Sequence, residues 1–339
     1  MTAREATPSG PGARDRALAA FRGLALGDAL GMPTQSLSRA EILADHGPIT
    51  GFVDAGPRQR IAAGMVAGSV TDDTEQAVLL AELLVDGRGS VDPTALADRL
   101  LGWEQRMRER GSLDLLGPST KAALVRLREG VPVDEAGRDG STNGAAMRVT
   151  PVGIAVDAAD LAAFVDAVVR VSAPTHNTGL GLAAAAAVGA AVSAGVGGAG
   201  VPEALERAVA AAEEGGSRGH WVAGGSVAAR LRWAVPHVSG LGADARDDAL
   251  ADLVGTSLAA QESVVAALVL AASGDDPWTT LCRAAGLGGD TDTIAAIAGA
   301  VLGATHGGAA WPAAAVATVE RVNRLDLAPV VDGLLALRG

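Results

Sequence analysis

The amino-acid sequence repeats apolar residues at helical spacing along much of its length. In the clearest case, Ile294, Ile297, Ala298, Val301 and Leu302 stand at positions i, i+3, i+4, i+7 and i+8, which places them on one face of a helix. Alternation of apolar and polar residues is scarce, and no Asn-Gly turn joins two alternating segments. The sequence therefore predicts an all-α fold, with further helices over 120–128, 160–172, 178–194, 202–214, 249–272 and 312–324.

The spacing of turn-forming residues bears on domain organisation. Gly, Pro and Asp separate the predicted helices at short intervals, and no linker divides the 339 residues into halves. Repeats with a fixed period are absent. Residues 1–14 are rich in Pro, Gly and small polar side chains, a composition typical of a flexible tail. We therefore predict a single domain over residues 15–339.

Composition excludes several classes of function. A net charge of −12 argues against a nucleic-acid partner, because phosphates are neutralised by clustered Lys and Arg. The lone Cys282 excludes an internal disulfide and a thiolate zinc cluster, and its apolar neighbours favour a small core residue. The apolar segment 180–196 is mostly Ala and Gly, which predicts an internal helix and no membrane partner. The N-terminus carries no apolar stretch of a signal peptide, so a cytoplasmic protein is expected.

Two acidic clusters stand out, at residues 71–75 (TDDTE) and 290–293 (DTDT). Apolar helices are predicted to begin directly after them, near Gln76 and at Ile294. One interpretation is helix capping, since Asp and Thr oxygens accept hydrogen bonds from free N–H groups. A cap needs one acceptor, however, and adjacent carboxylates repel one another. Carboxylate and hydroxyl oxygens suit Mg²⁺ or Mn²⁺, and two clusters brought together would hold two cations that activate water.

Seven short motifs occur in an order that resembles the ADP-ribosylglycohydrolase family. The resemblance extends from about residue 16 to about residue 307. The motifs are GLALGDALG at 23–31, TDDT at 71–74, GPST at 117–120, NGAAMRVTP at 143–151, TH at 175–176, ESV at 262–264 and GDTDT at 289–293.

This resemblance implies a compact orthogonal helical bundle with a centre of two divalent cations, Mg²⁺ or Mn²⁺. By position, it implies that Asp72 and Asp73 are catalytic and that Asp292 bridges the two metals. The full set of implied metal ligands is Thr71, Asp72, Asp73, Asp290, Asp292 and Thr293.

The resemblance also implies a set of substrate-binding residues. Two of them keep structural alternatives: Arg148 would bind phosphate or pair with a carboxylate, and His176 would contact the ligand or serve as a buried structural histidine. Asp28 is expected to cap a neighbouring helix rather than to act in the site. The implied substrate-binding residues are Gly117, Gly140, Ser141, Asn143, Gly144, Arg148 and His176.

Two departures from the family pattern concern the substrate. Many family members carry a glutamate where this chain has Gln35, and an amide cannot transfer a proton as a carboxylate does. The segment 112–162 also contains neither Phe nor Trp, so no aromatic side chain of the predicted substrate loop would stack on adenine.

The function implied is hydrolysis of the glycosidic bond between ADP-ribose and an acceptor, either a protein side chain or a small molecule. Two alternatives stay open. One is a hydrolase of a small ribosyl or nucleoside-like metabolite, which Gln35 and the lack of aromatic residues favour. The other is a catalytically silent ADP-ribose-binding protein.

Overall fold

Helices account for the secondary structure of the protein, as predicted. The computed structural model describes residues 12–113 and 116–338, which contain no strand and only two isolated β-bridges. The helices of the first half are α1 (Ala13–Gly31), α2 (Arg39–His46), α3 (Asp72–Asp86), α4 (Pro93–Glu109), α5 (Pro118–Arg128), α6 (Val133–Ala136), α7 (Gly144–Met147), α8 (Thr150–Ala155) and α9 (Leu161–His176). Those of the second half are α10 (Gly179–Val196), α11 (Val201–Gly216), α12 (Val227–Val238), α13 (Ala243–Ala249), α14 (Ala260–Ala271), α15 (Pro277–Ala285), α16 (Thr291–His306), α17 (Ala313–Asn323) and α18 (Ala328–Leu335).

Four of the predicted boundaries need correction. Helices α3 and α16 begin within the acidic clusters, at Asp72 and Thr291, because the clusters themselves supply the first turns. The predicted helix 249–272 is broken: a π-helical turn (Leu250–Val254) is followed by Gly255, whose φ of 92° interrupts the helix. Residues 1–11 of the predicted tail lie outside the described residues, and α1 already begins at Ala13.

The closest packing in the fold is between α1 and α16. A Cβ atom added at Gly27 would lie 2.0 Å from the carbonyl oxygen of Ala295, and one at Gly23 would lie 2.2 Å from that of Gly299. At the end of α1, a Cβ on Gly31 would lie 2.3 Å from the Cα of Asp292. Glycines one helical turn apart therefore let the two backbones touch.

Helix α10 is the internal helix that the sequence predicts for the segment 180–196. It is the one described helix long and apolar enough to cross a membrane, and 89% of it is buried inside the fold. Cys282 is also buried, in α15, which confirms its interpretation as a core residue. One cluster of buried apolar side chains extends from Ala17 to Leu334.

The contact between α1 and α16 makes a prediction for stability. Gly27→Ala should lower the free energy of unfolding by about 1–3 kcal/mol, because the added methyl group forces two packed backbones apart. Gly102→Ala is the matched control: it also lies within a helix, and its added Cβ would meet only Arg106 Nη1 at 3.5 Å. That change should raise stability by about 0.5–1 kcal/mol. Equal denaturation midpoints for the two variants would contradict the packing argument.

Candidate active site

Asp28 of α1 holds the N-terminus of α3 in place. Its Oδ1 accepts hydrogen bonds from the Thr71 backbone N–H at 3.0 Å and from the Thr71 hydroxyl at 2.8 Å. Its Oδ2 accepts from the Thr74 backbone N–H at 3.1 Å and from the Thr74 hydroxyl. Burial raises the pKa of Asp28 to about 6, although these four bonds favour its charged form. Asp28 thus has the capping role expected from the sequence.

The two acidic clusters meet although they are far apart in the sequence. The Thr293 hydroxyl donates to Asp73 Oδ1 at 3.2 Å, across a sequence separation of 220 residues. Asp290 Oδ2 accepts from the side-chain amide of Asn143. The clusters border a cavity of about 350 Å³. The residues of the two clusters that line this cavity are Asp72, Asp73, Asp290, Asp292 and Thr293.

Crowding of these carboxylates disfavours their charged forms. The pKa of Asp73 is raised well above its ordinary value by burial first and then by the charge of Asp292. The pKa of Asp292 is raised in the same way by burial and by Asp290. Burial raises the pKa of Asp290 to about 6. Asp72 is only half-buried and accepts from Gln76 Nε2 at 2.7 Å. The site therefore gains stability from a proton or from a cation.

The oxygens present fit a hard cation that retains water. Asp73 Oδ2 and Asp292 Oδ1 are buried and accept no hydrogen bond. The Thr71 hydroxyl donates to Asp28 and accepts from the Asp73 backbone N–H at 3.4 Å, which leaves one lone pair. Within the described part of the chain, no three His, Cys, Asp or Glu side chains are grouped so that they would hold one ion. This excludes a preformed carboxylate cage, whereas Mg²⁺ is usually held by one or two carboxylates and several waters.

The predicted substrate-binding residues divide into two groups. Gly117, Asn143 and Gly144 line the cavity beside the carboxylates. Gly140, Ser141, Arg148 and His176 do not line it. At Gly140 the close approach is to the protein itself, since a Cβ there would lie 2.2 Å from the carbonyl oxygen of Thr175.

Arg148 and His176 are fully buried behind the cavity wall. The Arg148 guanidinium donates to Gln76 Oε1 at 3.2 Å and to the Thr175 hydroxyl. The His176 ring lies 2.8 Å from Thr175 Oγ1 and 2.9 Å from Thr142 Oγ1, and burial followed by the charge of Arg148 lowers its pKa well below the usual value. Neither side chain lines the cavity in this structure, which agrees with the structural alternative for both, and direct substrate contact stays a prediction. They position Gln76 of α3 and the 142–144 segment.

Sequence reasoning missed three residues around the cavity. Lys121 lines it and pairs with Glu104 at 3.1 Å. The sequence distinguishes this residue only by the fact that it is the single lysine. Ser263 accepts from Asn143 Nδ2 at 2.8 Å. Gln59 donates to the carbonyl oxygen of Gln35 at 3.0 Å; Gln59 belongs to none of the seven motifs, whereas Ser263 lies in the ESV motif at 262–264.

Comparison with known proteins decides the family. The ADP-ribosylglycohydrolase family model matches residues 9–339. The chain belongs to the ADP-ribosylglycohydrolase family. It is 35% identical to the uncharacterized protein YegU of Escherichia coli K12 (92% of this chain, 94% of that protein). It is 28% identical to the ADP-ribosyl-[dinitrogen reductase] glycohydrolase of Rhodospirillum rubrum (98% and 99%).

A solved structure agrees with this assignment. The chain is similar to a structure titled ADP-ribosylglycohydrolase-related protein complex, with a TM-score of 0.70 and 27% identity over 96% of this chain and 99% of that chain. The resemblance seen in the seven motifs is therefore confirmed, and so is the fold that it implies. As a member of the ADP-ribosylglycohydrolase family, the chain is a hydrolase of glycosidic bonds.

The Asp28 cap leads to a prediction for stability. Asp28→Ala leaves buried donors on Thr71 and Thr74 without an acceptor, and each buried donor left unpaired costs about 1–3 kcal/mol. Relief of repulsion on Asp73 and Asp292 offsets part of this cost, so we expect a net loss of at least about 2 kcal/mol in chemical denaturation. Asp92→Ala is the control: it removes an exposed cap that bonds only Thr94 N and Ala95 N, for which about 1 kcal/mol is typical. An Asp28→Ala loss no larger than this would contradict the anchoring role.

The crowded carboxylates lead to a prediction for pH and metal. A carboxyl whose pKa is higher in the folded than in the unfolded state takes up protons on folding, so stability falls as the pH rises through that interval. With EDTA, the melting temperature should therefore be higher near pH 5.5 than near pH 7, by at least about 2 °C. Mg²⁺ or Mn²⁺ should raise the value at neutral pH, since a ligand of the native state stabilises it.

Asp292→Asn provides the control for this experiment. It removes one carboxylate from the cluster while leaving every surface carboxylate in place. Both the pH dependence and the metal-induced rise should become smaller in this variant. Identical melting curves with EDTA and with saturating metal in the parent protein would contradict a cation site.

Proposed function

We propose that this protein is a metal-dependent hydrolase that cleaves the glycosidic bond between ADP-ribose and an acceptor. The observation that carries the proposal is the meeting of two acidic clusters at one cavity, with Asp73 Oδ2 and Asp292 Oδ1 buried and without hydrogen-bond donors. Family membership supplies the class of reaction. The relative from Rhodospirillum rubrum is named for an ADP-ribosylated protein substrate, which favours an ADP-ribosylated substrate here.

The residues that would hold two Mg²⁺ or Mn²⁺ ions belong to the two clusters. Asp73 and Asp292 would contribute the carboxylate oxygens that now lack donors. When bound, such cations neutralise the carboxylates, polarise ribose hydroxyls and lower the pKa of water. The remaining proposed ligands are Thr71, Asp72, Asp290 and Thr293.

The protein residues would perform the other parts of the reaction. The oxygen of a water molecule forms a bond to the anomeric carbon while the bond to the acceptor breaks. The water gives up a proton to a cavity carboxylate, and that proton is passed on to the departing acceptor. Asp72 is the partly exposed carboxylate of the cavity, so we assign to it, with Asp73, the role of taking the proton from that water. Gln35 lines the same cavity, but its amide cannot act as a general acid or base at neutral pH.

Substrate position follows from the lining of the cavity. Gly117, Asn143 and Gly144 line the same cavity as the carboxylates, where the two glycines would offer backbone groups to the substrate and the Asn143 side-chain oxygen would accept from a ribose hydroxyl. The Asn143 side chain is fixed by its bonds to Asp290 and Ser263, so it links the substrate loop directly to the acidic cluster. Movement of this loop would therefore disturb the carboxylates as well.

A second candidate function is hydrolysis of a small ribosyl or nucleoside-like metabolite. No aromatic residue is among the side chains that line the 350 Å³ cavity in the described ranges, and purine sites commonly use aromatic stacking. Turnover of ADP-ribosyl-arginine, ADP-ribosyl-serine, O-acetyl-ADP-ribose and simple nucleosides, each with Mg²⁺ or Mn²⁺, separates the two functions. Cleavage of nucleosides alone would overturn the leading proposal, and binding of ADP-ribose without any turnover would indicate a silent binding protein.

The proton-acceptor role predicts a separation of turnover from binding. Asp73→Asn removes a charge at nearly constant volume and should lower turnover by at least about two orders of magnitude. ADP-ribose should still bind within roughly tenfold of the parent affinity, because Gly117, Asn143 and Gly144 are unchanged. Asp86→Asn, an exposed residue at the other end of α3, is the matched control and should keep parent activity. Full turnover by Asp73→Asn on every parent substrate would contradict the mechanism.

A further inference from the structure

A second and larger cavity opens beside the acidic one. Its volume is about 710 Å³, and it shares Gln35, Ser36 and Ile61 with the acidic cavity. We call it the arginine cleft, after Arg58 and Arg60 in its lining. Because the two cavities share these three residues, the arginine cleft lies directly next to the acidic cavity.

The charge of the arginine cleft is opposite to that of the acidic cavity. Its one carboxylate, Glu41, is occupied by the cap of α2, where it accepts from the Ser38 backbone N–H at 2.9 Å and from the Ser38 hydroxyl at 2.7 Å. Arg58 pairs with Asp45. Arg60 is exposed and has no carboxylate of the described residues within 4.0 Å, although its charge, after the Ser38 hydrogen bonds and that of Arg58, helps to lower the pKa of Glu41. The cleft therefore offers a guanidinium to a ligand.

The junction between the two cavities is held in a fixed shape. Ser36 adopts a left-handed conformation with a φ of 61°, which is uncommon for a residue other than Gly, and its N–H donates to the carbonyl oxygen of Gly289 at 2.7 Å. Strained backbone of this kind concentrates at functional sites. Next to it, Gln35 is buried and its Nε2 has no hydrogen-bond acceptor. An amide donor without a partner thus lies where the cavities join.

The residues that line each cavity indicate which part of the substrate reaches the arginine cleft. The residues assigned to ADP-ribose, Gly117, Asn143 and Gly144, line the acidic cavity but not the arginine cleft. The acceptor must leave by a different route from the one that the nucleotide occupies. We propose that the arginine cleft binds a carboxylate or phosphate group carried by the acceptor, next to the bond that is cleaved. This inference rests on the proposed function.

The arginine cleft would favour acceptors with an anionic neighbourhood. A guanidinium beside the acceptor attracts an anionic neighbourhood and repels a cationic one. Gln35 completes the same preference, since its amide donates to an anion, whereas a glutamate at that position would repel it. Gln35, which stands where many family members carry a glutamate, would then determine which acceptor is preferred and would not impair cleavage of the bond.

Paired peptide substrates test this directly. ADP-ribosyl-serine and ADP-ribosyl-arginine peptides are prepared in two versions each, which differ only in whether Glu or Gln flanks the modified residue. The parent enzyme should show a higher kcat/KM on the Glu version, by at least about threefold, as an exposed ion pair allows. Arg60→Gln should abolish this preference, and higher salt should weaken it. Arg207→Gln, an exposed arginine of α11 outside both cavities, should retain it.

Binding of free ADP-ribose shows whether the anion in the arginine cleft belongs to the acceptor or to the nucleotide. Its Kd should stay within about twofold of the parent value in Arg60→Gln. A large loss of ADP-ribose affinity in that variant would show that the arginine cleft holds the diphosphate, and would overturn the inference. Equal cleavage of Glu and Gln peptides by the parent would also overturn it while leaving the proposed function intact. A parent enzyme that cleaves none of the peptides would contradict both.

Discussion

The close contact between α1 and α16 determines where the acidic residues lie. Glycines on α1 bring its backbone against that of α16, so that Gly31 touches the Cα of Asp292. One turn earlier on α1, Asp28 accepts the hydrogen bonds that fix the first turn of α3. A single helix thus positions both acidic clusters, and larger side chains at its glycines would separate them. The site depends on backbone packing before it depends on any ligand.

The same arrangement places carboxylates that repel one another in the buried centre of the fold. Burial and mutual repulsion raise the pKa values of Asp73 and Asp292, and each carries an oxygen without a donor. A core evolved for stability alone would avoid such groups. Helix N-termini reduce the cost, because the dipoles of α3 and α16 favour negative charge at their first turns. Helix capping and the proposed cation binding would therefore use the same turns and need not be rival explanations.

Around this centre, some residues of the family motifs line the cavity and others lie buried behind its wall. Asn143 and Gly144 reach the cavity, whereas Arg148 and His176 support them from behind through Thr175 and hydrogen bonds to neighbouring segments. Such supporting residues hold a binding wall in the shape that its contacts need. Next to the cavity, Gln35 and the strained Ser36 lead into the arginine cleft. Substitutions at these two residues would change which acceptor is preferred, while the acidic centre stays the same.

The sequence by itself determined the helical class, the buried character of α10 and Cys282, and the residue types of the acidic centre. Hydrophobic periodicity and side-chain chemistry are local properties, and both can be read from neighbouring residues. It did not reveal the break at Gly255, the depth of Arg148 and His176, or the roles of Lys121, Ser263 and Gln59. Only the tertiary structure decided these, because burial and contact join residues such as Asp73 and Thr293 that stand 220 positions apart. Which oxygens lack donors, and which cavity lies beside them, depends on how α1, α3 and α16 pack together.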